Sequence, residues 1–203
     1  MARMSSLATA FSTGDVTDYV LRQAGPDELA QARSVMLDTV YRDFGHGYLP
    51  QWHSDIIDLE SFYLAPEDNA LFVAVREGQV VGTAGVRGQT PVSPPHPPEV
   101  ADRFEEGRTA TLYRVYVRPE HRRQGLAGRL VDACLGFIAS RERYTGVYLH
   151  TDARTPGAVE FWSRRGTIIF DERTAQNDAR TDALAAPFET VHFELHPDLR
   201  TAA

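Results

Sequence analysis

The segment "RPEHRRQGLAGRLVDACLGFI", Arg118 to Ile138, crowds arginines and glycines where an apolar strand gives way to a helix. The first turn of a helix leaves backbone N–H groups without intrahelical partners and carries the positive end of the helix dipole. Arg122 and Arg123 add charge to that end, and Gly125 and Gly128 strip away side chains that would keep a ligand off the backbone. Residues of these types in this order are suited to hold an anion with several negative oxygens. A nucleotide-hydrolase loop needs G-x-x-x-x-G-K-[ST] and a dinucleotide fold needs G-x-G-x-x-G; the chain has neither. All 21 basic residues are arginine, so no lysine is available as a nucleophile or Schiff base. The single cysteine, Cys134, falls on an apolar helix face and reads as a core thiol, with no internal disulfide to form. His192 and His196, four apart on a strand, do not make a metal pair, and no metal is expected.

The elements that must position this turn are legible around it. After Gly125, apolar side chains at Leu126, Leu130, Ala133, Cys134, Phe137 and Ile138 line one helical face. "ATLYRVYVRP" before it and "GVYLHTD" after it read as strands. That order implies one parallel pair with a right-handed crossover inside an otherwise antiparallel sheet. Upstream lie a short strand over Asp18 to Arg22, a helix in "GPDELAQARSVMLDTVYRDF", a second helix over Ser54 to Tyr63, and the hairpin "ALFVAVREGQVVGTAGVRG" turning at Glu77 and Gly78. "QTPVSPPHPPE" is a proline-stiffened loop. Downstream come a helix in "PGAVEFWSRRG" and two strands, "TIIFDE" and "FETVHFELHP", separated by the polar insert "RTAQNDARTDALAAP".

Length and composition bound the rest. At 203 residues, 42% hydrophobic and 24% charged, the chain has the balance of one globular domain, read here as residues 16–203 behind a disordered stretch over 1–15. A net charge of −7 disfavours nucleic acid as a partner and suits a cationic or neutral substrate. Apolar runs such as Ala70 to Val75 are too short to span a membrane, and a cytoplasmic location is expected.

"LYRVYVRPEHRRQGLAGRLVDA" resembles the acyl-CoA segment of the GCN5-related N-acetyltransferases, whose signature [R/Q]-x-x-G-x-[G/A] is filled by Arg122, Gly125 and Ala127. "FVAVREGQVVGTAGV" is similar to that family's second and third strands and "GAVEFWSRRGTIIF" to its late helix, so the resemblance runs over roughly Asp18 to Pro197. It implies an α/β fold of the α+β type: a mixed, mostly antiparallel sheet with one splayed parallel pair, flanked by helices. It implies acetyl-CoA as cosubstrate, its pyrophosphate on the amides of Arg122, Arg123, Gln124, Gly125, Leu126, Ala127 and Gly128, and its pantetheine arm along Val115, Tyr116 and Val117. The aromatics Tyr41, Phe44, Tyr48, Trp52, Phe62 and Tyr63 would contribute to an acceptor wall. The implied reaction is direct transfer of acetyl to the primary amine of a small molecule, with a homodimer left open. A longer acyl-CoA, or a catalytically silent acyl-CoA-binding module, are the alternatives.

The chain departs from the family pattern in two respects. Trp162 occupies the place of a tyrosine general acid, and Thr155 that of an asparagine; both are expected beside the cofactor. The strand positions that often carry a base hold Thr111 and Tyr113. An alkylamine of pKa about 10.4 costs roughly 4 to 5 kcal/mol to deprotonate at pH 7, so a base is needed. Candidates are Tyr113 acting through a water, Glu105 or Glu106 before the strand, and His150 or Asp152 at the end of the next.

Overall fold

The computed structural model describes residues 18–44, 47–175 and 189–195. Seven strands, β1 (Val20–Gln23), β2 (Ala70–Arg76), β3 (Gln79–Arg87), β4 (Thr109–Val117), β5 (Gly146–Asp152), β6 (Gly166–Asp171) and β7 (Thr190–Leu195), form one sheet in the order β1-β2-β3-β4-β5-β7-β6. Every neighbouring pair is antiparallel except β4 and β5. Those two pair only at Thr109↔Gly146, Ala110↔Val147 and Thr111↔Tyr148. Beyond this point β4 continues on β3 and β5 continues on β7, so the sheet forks. The tight turn between β2 and β3 has positive φ at both Glu77 and Gly78, the geometry that suits the twist of a two-residue hairpin.

The helices are α1 (Leu29–Arg42), α2 (Pro50–Ile57), α3 (Pro98–Ala101), α4 (Leu126–Ala139), α5 (Ala158–Ser163) and α6 (Glu172–Ala175). The main core packs Leu126, Leu130, Cys134 and Ile138 of α4 and Trp162 of α5 against Ala84, Leu112, Leu149 and Phe193 of the sheet. Val131 and Leu135 are also buried while Ala133 and Phe137 lie at the core's edge, a small rotation of the expected face. On the opposite sheet face α1, α2 and a π-turn over Glu60–Leu64 form a second core around Met36, Ile56, Tyr63 and Val73.

The helix expected over Ser54 to Tyr63 begins earlier and ends sooner. Pro50 opens α2 because its fixed φ suits a first turn, and the His53 ring nitrogen Nδ1 accepts the Leu49 amide at 2.9 Å. Asp58 leaves helical geometry and its carboxylate accepts the Ser61 amide at 3.2 Å, starting the next turn. The proline-rich loop likewise ends in a turn of helix, α3, with Pro98 at its start. The first 15 residues, His196 and most of the polar insert lie outside the described residues.

Candidate active site

Gly125 caps α4 at φ 74°, a left-handed conformation that glycine adopts without strain, and a side chain there would meet nothing within 4 Å. The open space is on the side where an anion would sit. Among the described residues, the amides of residues 123–128 have no acceptor, which fits a polyanion. The turn is braced from behind. The Tyr19 hydroxyl lies 2.9 Å from His121 Nδ1, donates to Gln124 Oε1 at 3.0 Å, and accepts from Arg76 at 3.2 Å. The two arginines have different duties. Arg122 Nε donates to the Val117 carbonyl at 2.8 Å and its Nη2 to the Asp43 carboxylate, so Arg122 is a strut rather than a free cation. Arg123 is exposed and its guanidinium makes no hydrogen bond or ion pair with another described residue, which leaves its charge for a ligand.

At the fork, β4 bulges. Register with β3 shifts between Thr83↔Tyr116 and Gly85↔Tyr113, and Arg114 in the bulge has φ 53°. What holds this unfavourable backbone is a buried ion pair: Arg114 Nη2 meets Asp55 Oδ1 at 2.5 Å and Nε meets Oδ2 at 2.9 Å. Tyr63 donates to the same carboxylate at 2.6 Å, and the Trp52 carbonyl accepts from Arg114 at 2.6 Å. Burial alone would raise the Asp55 pKa; the bonds and charge of Arg114 together with Tyr63 outweigh it and hold the carboxyl below 3.8. Past the fork, β4 has no strand neighbour on its β5 side among the described residues, and its Val115–Val117 edge is where an extended amide chain can pair.

The face opposite α4 carries a cluster built by strand order. His150 on β5 and His192 on β7 are register partners, and the proline-rich loop brings His96 over them, with ring centroids 5.4 and 5.7 Å away. The Tyr148 hydroxyl lies between, at 2.8 Å from His192 Nδ1, 3.3 Å from His150 Nδ1 and 3.4 Å from His96 Nδ1. His192 Nε2 faces Glu172 Oε1 at 3.2 Å. Desolvation, followed by His192, brings the His96 pKa down to about 4. His150 is exposed to solvent at its outer edge, while its inner edge faces the other rings; desolvation there, then His96, His192 and Arg114, lowers its pKa. Both imidazoles are therefore neutral at pH 7. Among the described residues, no group of three or more His, Cys, Asp or Glu is placed to hold a metal ion.

The expected base positions separate cleanly. Tyr113 and His150 flank the fork on one sheet face, while Glu105 and Glu106 lie in the exposed turn before β4, on the closed side. Asp152 is taken by Arg154, whose Nη2 is 2.6 Å away, and the resulting bonds hold it as a carboxylate despite burial. Burial keeps the Tyr113 phenol protonated, and its ring lies under Arg87. Thr155 lies in the turn after β5 and Trp162 is buried with its edge on Phe161. Of the helix aromatics, Tyr63 is fully buried while Tyr41 and Trp52 are exposed. Cys134 is in the core, its thiol pushed up by burial and inert. The sequence reading missed His96 and Glu172 and weighed His192 only as a metal ligand.

A forked sheet with a glycine-led helix at its open end is the fold shared with solved GNAT acetyltransferase structures. The chain belongs to the acetyltransferase (GNAT) family, whose description matches residues 36–167. It is 34% identical over 114 residues to N-acetyltransferase 8 of Rattus norvegicus, covering 56% of this chain and 46% of that protein. It is 30% identical over 114 residues to rat N-acetylaspartate synthetase, covering 56% of this chain and 33% of the relative, so it spans half or less of either. A GNAT acetyltransferase structure from Staphylococcus aureus superposes with a TM-score of 0.64 at 15% identity, covering 87% of this chain and 98% of that one. No helix among the described residues is long and apolar enough to cross a membrane.

Proposed function

We propose that this chain is an N-acetyltransferase that transfers acetyl from acetyl-CoA to the primary amine of a small molecule by direct attack, with His150 as the general base. One observation carries the assignment: an imidazole whose Nε2 has no partner among the described residues stands at the fork, on the same sheet face as Tyr113. The relatives are named as N-acetylating proteins, which supports nitrogen as the acceptor atom. Acetyl-CoA supplies an acetyl thioester: the C–N bond forms as the C–S bond breaks, and the sulfur leaves as thiolate.

The chain's own residues do the rest. The amides of residues 123–128 and Arg123 receive the pyrophosphate, and the free β4 edge receives the extended arm. The proton arrangement follows from counting donors. Tyr148 has one hydroxyl hydrogen and gives it to its nearest acceptor, His192 Nδ1, so His192 carries its own hydrogen on Nε2 and points it at Glu172. The Tyr148 oxygen then accepts from His150 Nδ1–H, leaving the lone pair of His150 on Nε2. When Nε2 takes the proton of the attacking nitrogen, the new positive charge strengthens the bond to Tyr148 and is stabilised by Glu172 through His192.

The test is release of free thiol from acetyl-CoA across an amine panel. His150→Gln should lower kcat/KM by about 100- to 10,000-fold with acetyl-CoA affinity unchanged. An unaltered kcat/KM, with chemistry shown to limit the rate, removes His150 from the mechanism.

A further inference from the structure

Arg87 ends β3 on the same sheet face as Tyr113 and His150. Its guanidinium carbon is 4.7 Å from the centroid of Phe62 and 4.9 Å from that of Tyr113, so aromatic rings pack on it. Contacts to rings engage the flat faces of a guanidinium and leave its N–H edge free. The Arg87 guanidinium makes no hydrogen bond or ion pair with any described residue. Other partly buried arginines are already spent: Arg114 on Asp55 and Arg118 on Asp38. The nearest carboxylate that feels its charge, Asp55, is already bonded to Arg114, so the Arg87 guanidinium keeps its N–H groups for a ligand.

Its place in the sheet makes this useful. Arg87 pairs with Thr111, which pairs with Tyr148, and His150 lies two residues beyond Tyr148 on the same face. Two interstrand steps and two residues along the strand separate the Arg87 and His150 backbones by roughly 12 Å. Arg87 lies over the Tyr113 ring and His150 stands on the same sheet face, a separation that one small molecule can bridge.

We propose that the acceptor is an amine bearing a carboxylate, and that the Arg87 guanidinium binds that carboxylate edge-on while the amine faces His150. This rests on the fork being the site of amine acetylation, and it replaces the cationic or neutral substrate that net charge alone favours. A bidentate pair of this kind reads the planar carboxylate, which a lysine ammonium matches less well.

The experiment compares L-amino acids with their own carboxamides by free-thiol release, using the wild type, Arg87→Met and Arg87→Lys. The wild type should favour the acids. Arg87→Met should cost the acids about 10- to 100-fold in kcat/KM, mainly through KM, and leave the amides within about 3-fold. Arg87→Lys should fall between. Calorimetric affinity for acetyl-CoA should be the same in all three. Equal use of acids and amides by the wild type, or an equal loss on both in Arg87→Met, overturns the proposal. If the wild type acetylates neither, the amine-acetylation reading fails, and the carboxylate site is judged separately by calorimetry with N-acetyl amino acids and N-acetyl amino amides in the presence of CoA. Acid binding that Arg87→Met abolishes sustains the site; equal binding, or none, overturns it.

Discussion

Asp55→Ala is the substitution whose consequences can be worked furthest. The Asp55 carboxylate has side-chain exposure of 4% and takes two hydrogen bonds from Arg114, itself 10% exposed, and one from Tyr63. Removing it leaves a guanidinium buried beside the β4 bulge with only the Trp52 carbonyl and a long contact to the Tyr116 hydroxyl. Breaking a buried pair from one side costs about 3 to 5 kcal/mol. The orphaned Tyr63 hydroxyl adds about 1 to 3 kcal/mol. Because both losses share one carboxylate, the sum should be about 4 to 6 kcal/mol rather than the full total. Against a domain stability of roughly 5 to 15 kcal/mol, that is a large fraction. Urea unfolding followed by circular dichroism should show the midpoint moving down by about 2 M. The double variant Asp55→Leu/Arg114→Met should recover much of the loss, since no charge remains to be desolvated. The pair also has a pH signature. Asp55 has a folded pKa below its ordinary value, so its contribution is present above about 3.8 and is lost as the pH falls through the folded value. A loss under about 1.5 kcal/mol in Asp55→Ala, or a double variant no better than the single, would refute this account of what holds the bulge.

Gly125→Asp should weaken acetyl-CoA binding by at least about 100-fold in calorimetry, because it places a carboxylate in the open space where the pyrophosphate belongs and strains a residue at φ 74°; a folded variant binding as tightly as the parent sinks the anion turn. Tyr113→Phe should change turnover by less than about 3-fold, since the hydroxyl has no partner among the described residues and burial keeps it protonated; a loss beyond about 10-fold would restore Tyr113 as a water-orienting residue. On the proposed reading His150 is a base whose pKa is lowered by desolvation of its inner edge and by His96, His192 and Arg114, so it stays neutral across the assay range and takes a proton only once attack has made the nitrogen acidic. The amine must then react unprotonated, and kcat/KM on total amine should rise about tenfold per pH unit from 5.5 to 8.5. A slope that steepens to two below about pH 6.5 would mean that His150 titrates as an ordinary histidine.

The parts of the molecule that sequence exposes are those whose cause is local. The α4 stripe, the Glu77–Gly78 turn and the bounds of β5 follow from residues within one or two turns of each other. α2 was misplaced because its start depends on a proline and on a histidine closing back onto the Leu49 amide, a local cap that a search for apolar periodicity passes over. The histidine cluster was hidden for another reason. His96, His150 and His192 meet only because β7 inserts between β5 and β6 and the proline-rich loop folds over them, a fact of strand order. Arg122 shows the same limit from the other side. Its type and place argue for a phosphate ligand, yet Asp43, at the end of α1, claims it first.

Why the proton should pass to β5 rather than β4 follows from what β4 has already spent. The Thr111 hydroxyl is given to the Gln89 carbonyl, the Tyr113 ring lies under Arg87, and Arg114 is locked to Asp55. Each commitment keeps β4 rigid and bulged so that its free edge can hold an extended chain, and each removes a group from acid–base work. On β5 the strain is absent, Asp152 is neutralised by Arg154, and His150 alone keeps a ring nitrogen open to the fork. On the proposed reading an acceptor nitrogen approaches between β5 and the tip of the proline-rich loop, with the rest of the molecule extending toward β3. That direction ends at Arg87, so the proposed carboxylate preference and the proposed base stand on the same geometry yet respond to different substitutions.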